Sequence, residues 1–258
     1  MTTSTTTARP TDRLERLLSR VTGDEKHGPS AHSTLDVLWV LYDRVLRVSP
    51  DTVDALDRDR FVLSKGHGPA AYYAVLAAKG FIPEEWLDDL AGRDSRLGHH
   101  PDRVLVPGVE IGSGSLGHGL GLAVGMLLGL RAQGLLTPRA YVLLGDAELD
   151  EGSNHEAIAY AGLTGLGNLT AIVIDNRSAT HGWSAGATMP LSAGAPVPLS
   201  AGGHARSANS AGIAARFTVN GWTAVTVDGR DHDAIQAGLD RRQPDRPHVV
   251  VAEINTKG

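Results

Sequence analysis

Two uninterrupted apolar runs, separated by a segment with a helical pattern, constrain the fold of this chain more than any other feature. Residues 140–144 form the first run and end in Gly145-Asp146, and residues 170–174 form the second and end in Asp175-Asn176. Apolar runs without polar alternation are typical of strands that are buried on both faces of a parallel sheet. Because residues 154–161 between them are expected to be helical, the sequence predicts a right-handed βαβ unit in an α/β fold with flanking helices.

Polar side chains follow both predicted strands. Ligands of open parallel sheets bind at the carboxyl ends of the strands, so Asp146 and Asn176 are expected to face one crevice. Each offers a hard oxygen of the kind that Mg²⁺ and Ca²⁺ prefer, and Gly145 and Gly152 allow a close approach of the backbone. This pattern predicts a metal–diphosphate site, although an aspartate in this position can instead cap a helix or accept hydrogen bonds from loop amides.

Composition excludes several classes of function. The 258 residues are 41% hydrophobic and carry a net charge of −5, without a basic block, so no nucleic-acid partner is expected. Cysteine is absent, which excludes disulfides and thiolate chemistry in this chain. The most apolar stretch, residues 116–130, is interrupted by Gly and His and is too short to cross a bilayer. It is predicted to be a buried helix, and the protein is expected to be cytoplasmic, with no membrane partner.

The remaining pattern predicts one domain over residues 13–258, after a Thr-rich, disordered tail at 1–12 that lacks the apolar run of a secretory signal. Residues 184–210 are rich in Ser, Ala, Gly and Pro and predict a long loop. Periodicity and Pro positions predict the other elements, namely helices at 14–21, 34–48, 69–79, 83–90, 116–131, 211–217 and 231–239, and strands at 61–64, 223–227 and 248–254.

Several separated segments of this chain resemble thiamine-diphosphate enzymes of the transketolase type. The stretch GDAELDEGSNHEAIAYAGLTGLGNLTAIVIDN is similar to the family's cofactor signature. LSKGHGPAAYYAVLAAKGF resembles its histidine loop, and GHHPDRVLVPGVEIGSGSLGHGLGLAVGM resembles its His-Pro segment and Gly-rich turn. Lys26-His27 followed by Asp36, and later VDGRDHDAI, match two further segments. The resemblance covers residues 14–258, and an ordered set of segments is more specific than one motif.

The resemblance implies how the cofactor would be held. The side chains of Asp146 and Asn176 and the backbone carbonyl of Ser178 would bind Mg²⁺ (or Ca²⁺), and the metal would neutralise the diphosphate of thiamine diphosphate. His67 would contact that diphosphate, while Gly114 and Leu116 would pack on the aminopyrimidine. The full set of cofactor-binding residues that it implies is His67, Gly114, Ser115, Leu116, Gly145, Asp146, Ala147, Glu151 and Asn176.

The catalytic residues implied by the resemblance are three histidines and two glutamates. His27 and His100 would face the thiazolium and the sugar, His67 would lie at the diphosphate, and histidine suits proton transfer near neutral pH. Glu151 and Glu156 resemble an acidic pair that links two active sites across a dimer through shared protons. Without the family pattern, a loop or helix-surface position is the more common explanation of any single histidine. Glu148 and Asp150 are interpreted as part of a solvated acidic loop.

Four positions depart from the family's pattern. Ala147 stands where Gly is common, Arg177 follows the metal-binding Asn, His181 replaces a common Asp, and Arg230 replaces a usual His. These departures affect the sugar end of the site more than the cofactor end. They point to an unusual substrate, as in specialised biosynthetic pathways, or to a weakened activity.

The activity implied by the resemblance is transfer of a two-carbon ketol unit from a ketose (phosphate) to an aldose or other aldehyde. The family also needs a glutamate from a pyrimidine-binding domain, for which 258 residues leave no room. The expected partner is therefore a C-terminal transketolase subunit that carries this domain, in a heterotetramer with two copies of each chain. Two alternatives stay open: a subunit of a decarboxylating 2-oxoacid enzyme, which the Ser-Lys-Gly-His-Gly and His-Pro segments disfavour, and a non-catalytic cofactor-binding homologue.

Overall fold

A five-stranded, all-parallel sheet forms the centre of the molecule. The computed structural model describes residues 10–22, 31–66, 68–177, 188–189, 197–198 and 210–254. The sheet has the order β1-β2-β3-β7-β6, which confirms the predicted parallel α/β class. Its strands are β1 (Arg60–Leu63), β2 (Ala140–Gly145), β3 (Leu169–Asp175), β6 (Thr223–Asp228) and β7 (His248–Glu253), and a separate antiparallel pair consists of β4 (Thr188–Met189) and β5 (Val197–Pro198).

Helices cover both faces of this sheet, so the fold has three layers. The α-helices are α1 (Pro10–Arg20), α2 (Leu35–Val40), α3 (Ala70–Ala78), α4 (His118–Ala132), α5 (Gly152–Leu163), α6 (Ser210–Thr218) and α7 (His232–Asp240). A π-helical turn, Leu41–Val45, continues α2, and short 3₁₀-helices span Pro50–Thr52, Glu84–Asp88 and Ala147–Asp150. Helices α1, α2, α3 and α7 pack on one face, and α4, α5 and α6 pack on the other.

The central strands β2 and β3 are buried along their whole length, as their unbroken apolar runs predict. Successive side chains alternate between the two layers: Tyr141 and Leu143 pack with α1–α3, whereas Val142 and Leu144 pack with α4–α6. Burying each large aliphatic side chain stabilises the fold by about 1.5–3 kcal/mol. Truncating Leu143 to Ala would cost about 2–5 kcal/mol because a cavity remains.

Four predictions about the helices need correction. Helix α1 begins at Pro10, inside the predicted tail of residues 1–12, because Pro suits the first helical turn and Asp12 complements the positive helix end. The predicted helix at 34–48 stops earlier, since Leu46 is extended, and the predicted helix at 83–90 is a 3₁₀-helix. The predicted buried helix, α4, is buried only on its inner side, and Leu122 is 47% exposed.

Some predictions fall on residues that the structure does not describe. These are the positions of His27, His67, Ser178 and His181 and most of the predicted loop at 184–210. Within the described ranges, no helix is both long and apolar enough to cross a membrane.

Candidate cofactor site

The structure brings the two predicted metal-binding residues to the same edge of the sheet. Gly145 and Ile174 are partners in the register of β2 and β3, and the Asp146 N–H donates a hydrogen bond to the Ile174 carbonyl at 3.1 Å. Asp146 is buried, and Asn176 lies two residues after Ile174. An aspartate and an asparagine therefore follow adjacent parallel strands, at the edge where α/β sheets bind ligands.

The Asp146 carboxylate also makes the local contact that the alternative interpretation predicts. It accepts a hydrogen bond from the Ala147 N–H at 2.9 Å and so caps the 3₁₀-helix Ala147–Asp150. The two roles are compatible because a carboxylate has about four acceptor positions. The Asn176 amide nitrogen donates to the Ser33 hydroxyl at 3.4 Å, which restricts the orientation of the amide.

The donor chemistry of this edge fits Mg²⁺. Carboxylate and amide oxygens are hard ligands, and Mg²⁺ usually takes one or two protein ligands and completes its shell with phosphate and water. Among the described residues, no group of three or more His, Cys, Asp or Glu side chains forms an all-protein metal site. A metal held by Asp146 and Asn176 would complete its shell with further oxygens, such as those of a bound diphosphate.

Glu148 was expected in a solvated loop, and this expectation is wrong. Its side chain is only 2% exposed, because three hydrogen-bond donors of the chain compensate its burial. Asp150 is exposed as expected and pairs with Arg216 at 2.9 Å. The acidic run after Asp146 therefore contains one buried carboxylate and one surface carboxylate.

Lys65 is a site residue that sequence reasoning missed. Its side chain runs beside Gly145, with its Cδ 3.6 Å from where a Cβ on that glycine would lie. Burial lowers the pKa of the Lys65 ammonium to about 8, against the opposing charges of Asp146 and Glu148. A cation therefore lies beside the carboxylates of the site, where it suits a diphosphate. In the sequence, the feature that could have identified Lys65 is its position directly after Ser64, at the end of the strand that pairs with β2.

His100 is held between two glycine-containing loops. Its Nδ1 lies 2.8 Å from the Gly66 carbonyl oxygen, so the neutral ring carries its proton on Nδ1. Gly114 has φ +118°, and a Cβ there would lie 2.9 Å from the His100 ring. The structure thus brings His100 together with Gly114 and with the loop that leads to position 67.

The other predicted site residues lie at the surface. Ser115, Leu116, Glu151 and Glu156 are exposed, and Leu116 is 42% exposed. Glu151 directly precedes α5, and its Cβ would be 2.6 Å from a Cβ on Gly117, which has φ +82°. The Gly-rich turn and the start of α5 are therefore in close contact, although Glu151 and Glu156 face solvent.

The described departures from the family pattern occupy defined positions. Ala147 is exposed, and its N–H binds Asp146. Arg177 adopts a left-handed backbone with φ +57°, which non-glycine residues rarely do. Arg230 donates to Asp36 at 3.1 Å, and Asp36 also lies 2.8 Å from the His232 Nε2. Arg230 therefore ties the loop after β6 to helix α2.

A parallel sheet with an Asp–Asn pair and Gly-rich turns at its carboxyl edge defines an α/β domain that binds a cofactor diphosphate. The family model described as "Transketolase, thiamine diphosphate binding domain" matches residues 20–189. The chain therefore belongs to the transketolase family, as its thiamine-diphosphate-binding part.

The individual proteins that resemble this chain include two named as transketolases and one named as a ferredoxin. The chain is 36% identical over 229 residues to one subunit of an apulose-4-phosphate transketolase from Actinobacillus succinogenes, a match that covers 88% of this chain and 74% of the relative. It is 50% identical over 243 residues to "Ferredoxin fas2" of Rhodococcoides fascians, covering 94% and 71%. A transketolase structure from Pichia stipitis with sedoheptulose-7-phosphate superposes with a TM-score of 0.69 at 27% identity, over 93% of this chain and 35% of that one.

Proposed function

We propose that this chain binds thiamine diphosphate through Mg²⁺ and serves as the N-terminal subunit of a two-component transketolase, a cytoplasmic enzyme of carbohydrate metabolism. The observation that carries the proposal is the position of Asp146 and Asn176 at the ends of adjacent parallel strands. Their side chains would hold the metal together with the Ser178 carbonyl, and His67 would contact the diphosphate. Lys65 would add a positive charge beside them.

The bound cofactor supplies the carbon nucleophile of ketol transfer, and the chain's own residues bind and orient the reactants. Gly114, Ser115 and Leu116 would pack on the aminopyrimidine. His100, with its Nδ1 proton directed at the Gly66 carbonyl, would present Nε2 to the oxygens of a sugar (phosphate) substrate. His27 would complete that end of the site.

A second polypeptide is part of the proposal. The chain spans about a third of the solved transketolase chains that it matches, and a relative that it covers to 74% is named as one subunit of a transketolase. We expect the partner to be a C-terminal subunit with the pyrimidine-binding domain, which would supply the activating glutamate. Two copies of each chain would form a heterotetramer.

An exposed face of helices α4 and α5 supports the contact between two copies of this chain. The two helices pack on each other, and part of their solvent side, here called the outer face, combines small and large apolar groups with one carboxylate. Apolar surface of this kind marks an interaction site. The outer face consists of Gly121, Leu122, Gly125, Gly129, Glu156, Tyr160 and Leu163. Glu156, which would link two active sites, lies on it.

Two measurements test the proposal. Isothermal titration calorimetry of the purified chain with thiamine diphosphate, with and without MgCl₂, should show binding that requires the metal. Ketol transfer from a ketose phosphate to an aldose should then appear only when the partner is added. Full activity of this chain alone would refute the split site. Mg²⁺-dependent binding without any activity, even with the partner, would favour the non-catalytic cofactor-binding alternative, and absence of binding even with the partner would refute the cofactor role itself.

One observation favours a second candidate, the decarboxylating 2-oxoacid enzyme. A 50% identical relative is named as a ferredoxin, an electron carrier. Ketol transfer releases no electrons, whereas oxidative decarboxylation of a 2-oxoacid releases two. This chain has no cysteine for an iron–sulfur cluster, so the carrier would be a separate protein or domain. Release of CO₂ from pyruvate, coupled to reduction of ferricyanide by the reconstituted pair, would reverse the ranking.

A further inference from the structure

Glu148 is a buried carboxylate that the proposed mechanism does not use. It lies in the 3₁₀-helix that follows Asp146 and is 2% exposed. Burial raises the pKa of its carboxyl group, while hydrogen bonds from Ser64, Gly117 and Gly145 and the charge of Lys65 oppose this rise. Burying a carboxylate costs free energy unless hydrogen-bond donors offset it. The positions of the donors to Glu148 therefore indicate what the residue does.

The donors come from three separate segments. Glu148 Oε1 accepts hydrogen bonds from the Ser64 hydroxyl, at the end of β1, and from the Gly117 N–H at 3.0 Å. Oε2 accepts a hydrogen bond from the Gly145 N–H at 3.2 Å, at the end of β2. The Ser64 oxygen in turn accepts from the Gly119 N–H at 3.1 Å. One side chain thus joins two strand ends to the Gly-rich turn that precedes α4.

The turn and the first residues of α4 are packed too closely for side chains at Gly117 and Gly119. A Cβ on Gly119 would overlap Ser64, and a Cβ on Gly117 would lie 2.6 Å from the Glu151 Cβ. The backbone of Glu148 is also fixed, because the Asn154 amide donates to its carbonyl at 2.7 Å. The Glu148 carboxylate therefore could not keep its hydrogen bonds if the Gly-rich turn moved away from it.

We propose that Glu148 is a positioning residue that sets the distance between the metal–diphosphate end of the site and its aminopyrimidine end. The proposal rests on the proposed function. Gly145 directly precedes Asp146, and Gly117 directly follows Leu116, so the two backbone N–H groups that Glu148 binds adjoin the two ends. A cofactor that spans both ends needs them in a fixed relation, whereas a ligand that occupies only one end does not.

The substitution Glu148→Gln tests this role because it keeps the shape of the side chain. The new amide must point its NH₂ group toward the Gly145 N–H in one orientation and toward the Gly117 N–H in the other. Either orientation places two donors against each other and releases one of the two ends. The probes are thiamine diphosphate, which spans both ends, and inorganic pyrophosphate, which reaches only the metal end, each titrated calorimetrically into the full chain with MgCl₂.

We expect E148Q to bind thiamine diphosphate at least tenfold more weakly and Mg²⁺–pyrophosphate within threefold of the wild-type affinity. Ser64→Ala removes one donor and the link to Gly119 but keeps both backbone hydrogen bonds of Glu148. It should weaken thiamine diphosphate binding in the same direction, by about two- to fivefold, and it provides the test if E148Q does not fold.

The outcomes separate the positioning role from the proposed function. Equal losses for both ligands would show that Glu148 only maintains the local structure, and unchanged binding of both would show that it has no role in the site; either result overturns the positioning role. If the wild-type chain shows no Mg²⁺-dependent binding of thiamine diphosphate, either alone or with the partner, the proposed function itself fails and this proposal fails with it.

Discussion

The carboxyl edge of the sheet and the outer face of α4 and α5 differ in how completely their side chains find partners or burial within this chain. At the carboxyl edge, the buried Glu148 finds three donors within the chain, and the Asp146 carboxylate caps a helix. On the outer face, Leu163 is 86% exposed and Tyr160 47% exposed. The difference indicates that the carboxyl edge is stabilised by contacts within this chain, whereas the outer face would be covered by the proposed contact between two copies.

The largest effect is expected from Asp146→Asn at the carboxyl edge. Loss of the carboxylate removes the only anionic group of the two described residues that are proposed to hold the metal, and the capping oxygen remains. Mg²⁺-dependent binding of thiamine diphosphate, measured by calorimetry, should fall at least a hundredfold, which corresponds to about 3 kcal/mol.

Asp150→Asn is the matched control for that substitution. Asp150 belongs to the same 3₁₀-helix but is exposed and pairs with Arg216 at the surface, an interaction of about 0–1 kcal/mol. The affinity of the Asp150→Asn variant for thiamine diphosphate should stay within twofold of the wild type. If the two variants lose affinity equally, the metal site does not lie at Asp146.

Two glycines on opposite sides of the α4–α5 pair test the contrast between inner and outer surfaces. A Cβ on Gly162 would overlap the Asn220 carbonyl oxygen, whereas a Cβ on Gly125 meets nothing within 4 Å. Gly162→Ala should destabilise the chain by about 1–3 kcal/mol through overpacking. Gly125→Ala should stabilise it by about 0.5–1 kcal/mol through helix propensity. Urea unfolding measures both, and changes of the same sign would contradict the assignment of the two sides.

Leu163→Glu tests whether the outer face is a contact between copies. The side chain is exposed, so the free energy of unfolding should change by less than about 0.5 kcal/mol. Self-association, measured by sedimentation velocity at several concentrations, should weaken at least tenfold because the substitution buries a charge in an apolar contact. Val219→Glu is the control, since Val219 is 81% exposed but lies beyond the end of α6. An equal or larger loss in V219E would locate the contact elsewhere.

The sequence predicts the sheet centre and the edge that carries Asp146 and Asn176 for a single physical reason. Parallel strands buried on both faces need unbroken apolar runs, and the residues after those runs must meet at one edge. Both predictions depend on local pattern alone. The structure accordingly has β2 and β3 within one residue of the predicted ends.

The role of Glu148 could not be predicted because its donors are remote in sequence. Ser64 is 84 residues away and Gly117 is 31 residues away, so local pattern shows only an acidic run, which usually faces solvent. Lys65 was missed for the same reason, since its neighbours Gly145 and Asp146 belong to another strand. The outer face was missed because an apolar, Gly-rich helix has no polar side to mark which surface stays exposed.

A pH-dependent effect is expected from His248, a polar group that is hydrogen-bonded within the chain far from the carboxyl edge. Its Nε2 lies 3.1 Å from the Gly238 carbonyl and its Nδ1 lies 2.7 Å from the Thr223 hydroxyl, so the neutral ring uses both nitrogens. Burial lowers the pKa of His248. Below a pH of about 6.5, the unfolded chain therefore takes up a proton that the folded chain does not, and stability falls with pH.

We expect this histidine to contribute at most about 2 kcal/mol to the loss of stability between pH 7 and pH 5, since each pH unit of unequal proton uptake is worth about 1.4 kcal/mol. The measurement is urea unfolding of the wild type and of His248→Gln at both pH values. The variant should lose less stability on acidification, whatever its stability at pH 7. An equal loss in both proteins would mean that the ring is protonated in the folded state. Polar groups would then be fully hydrogen-bonded within the chain at the carboxyl edge of the sheet but not at His248.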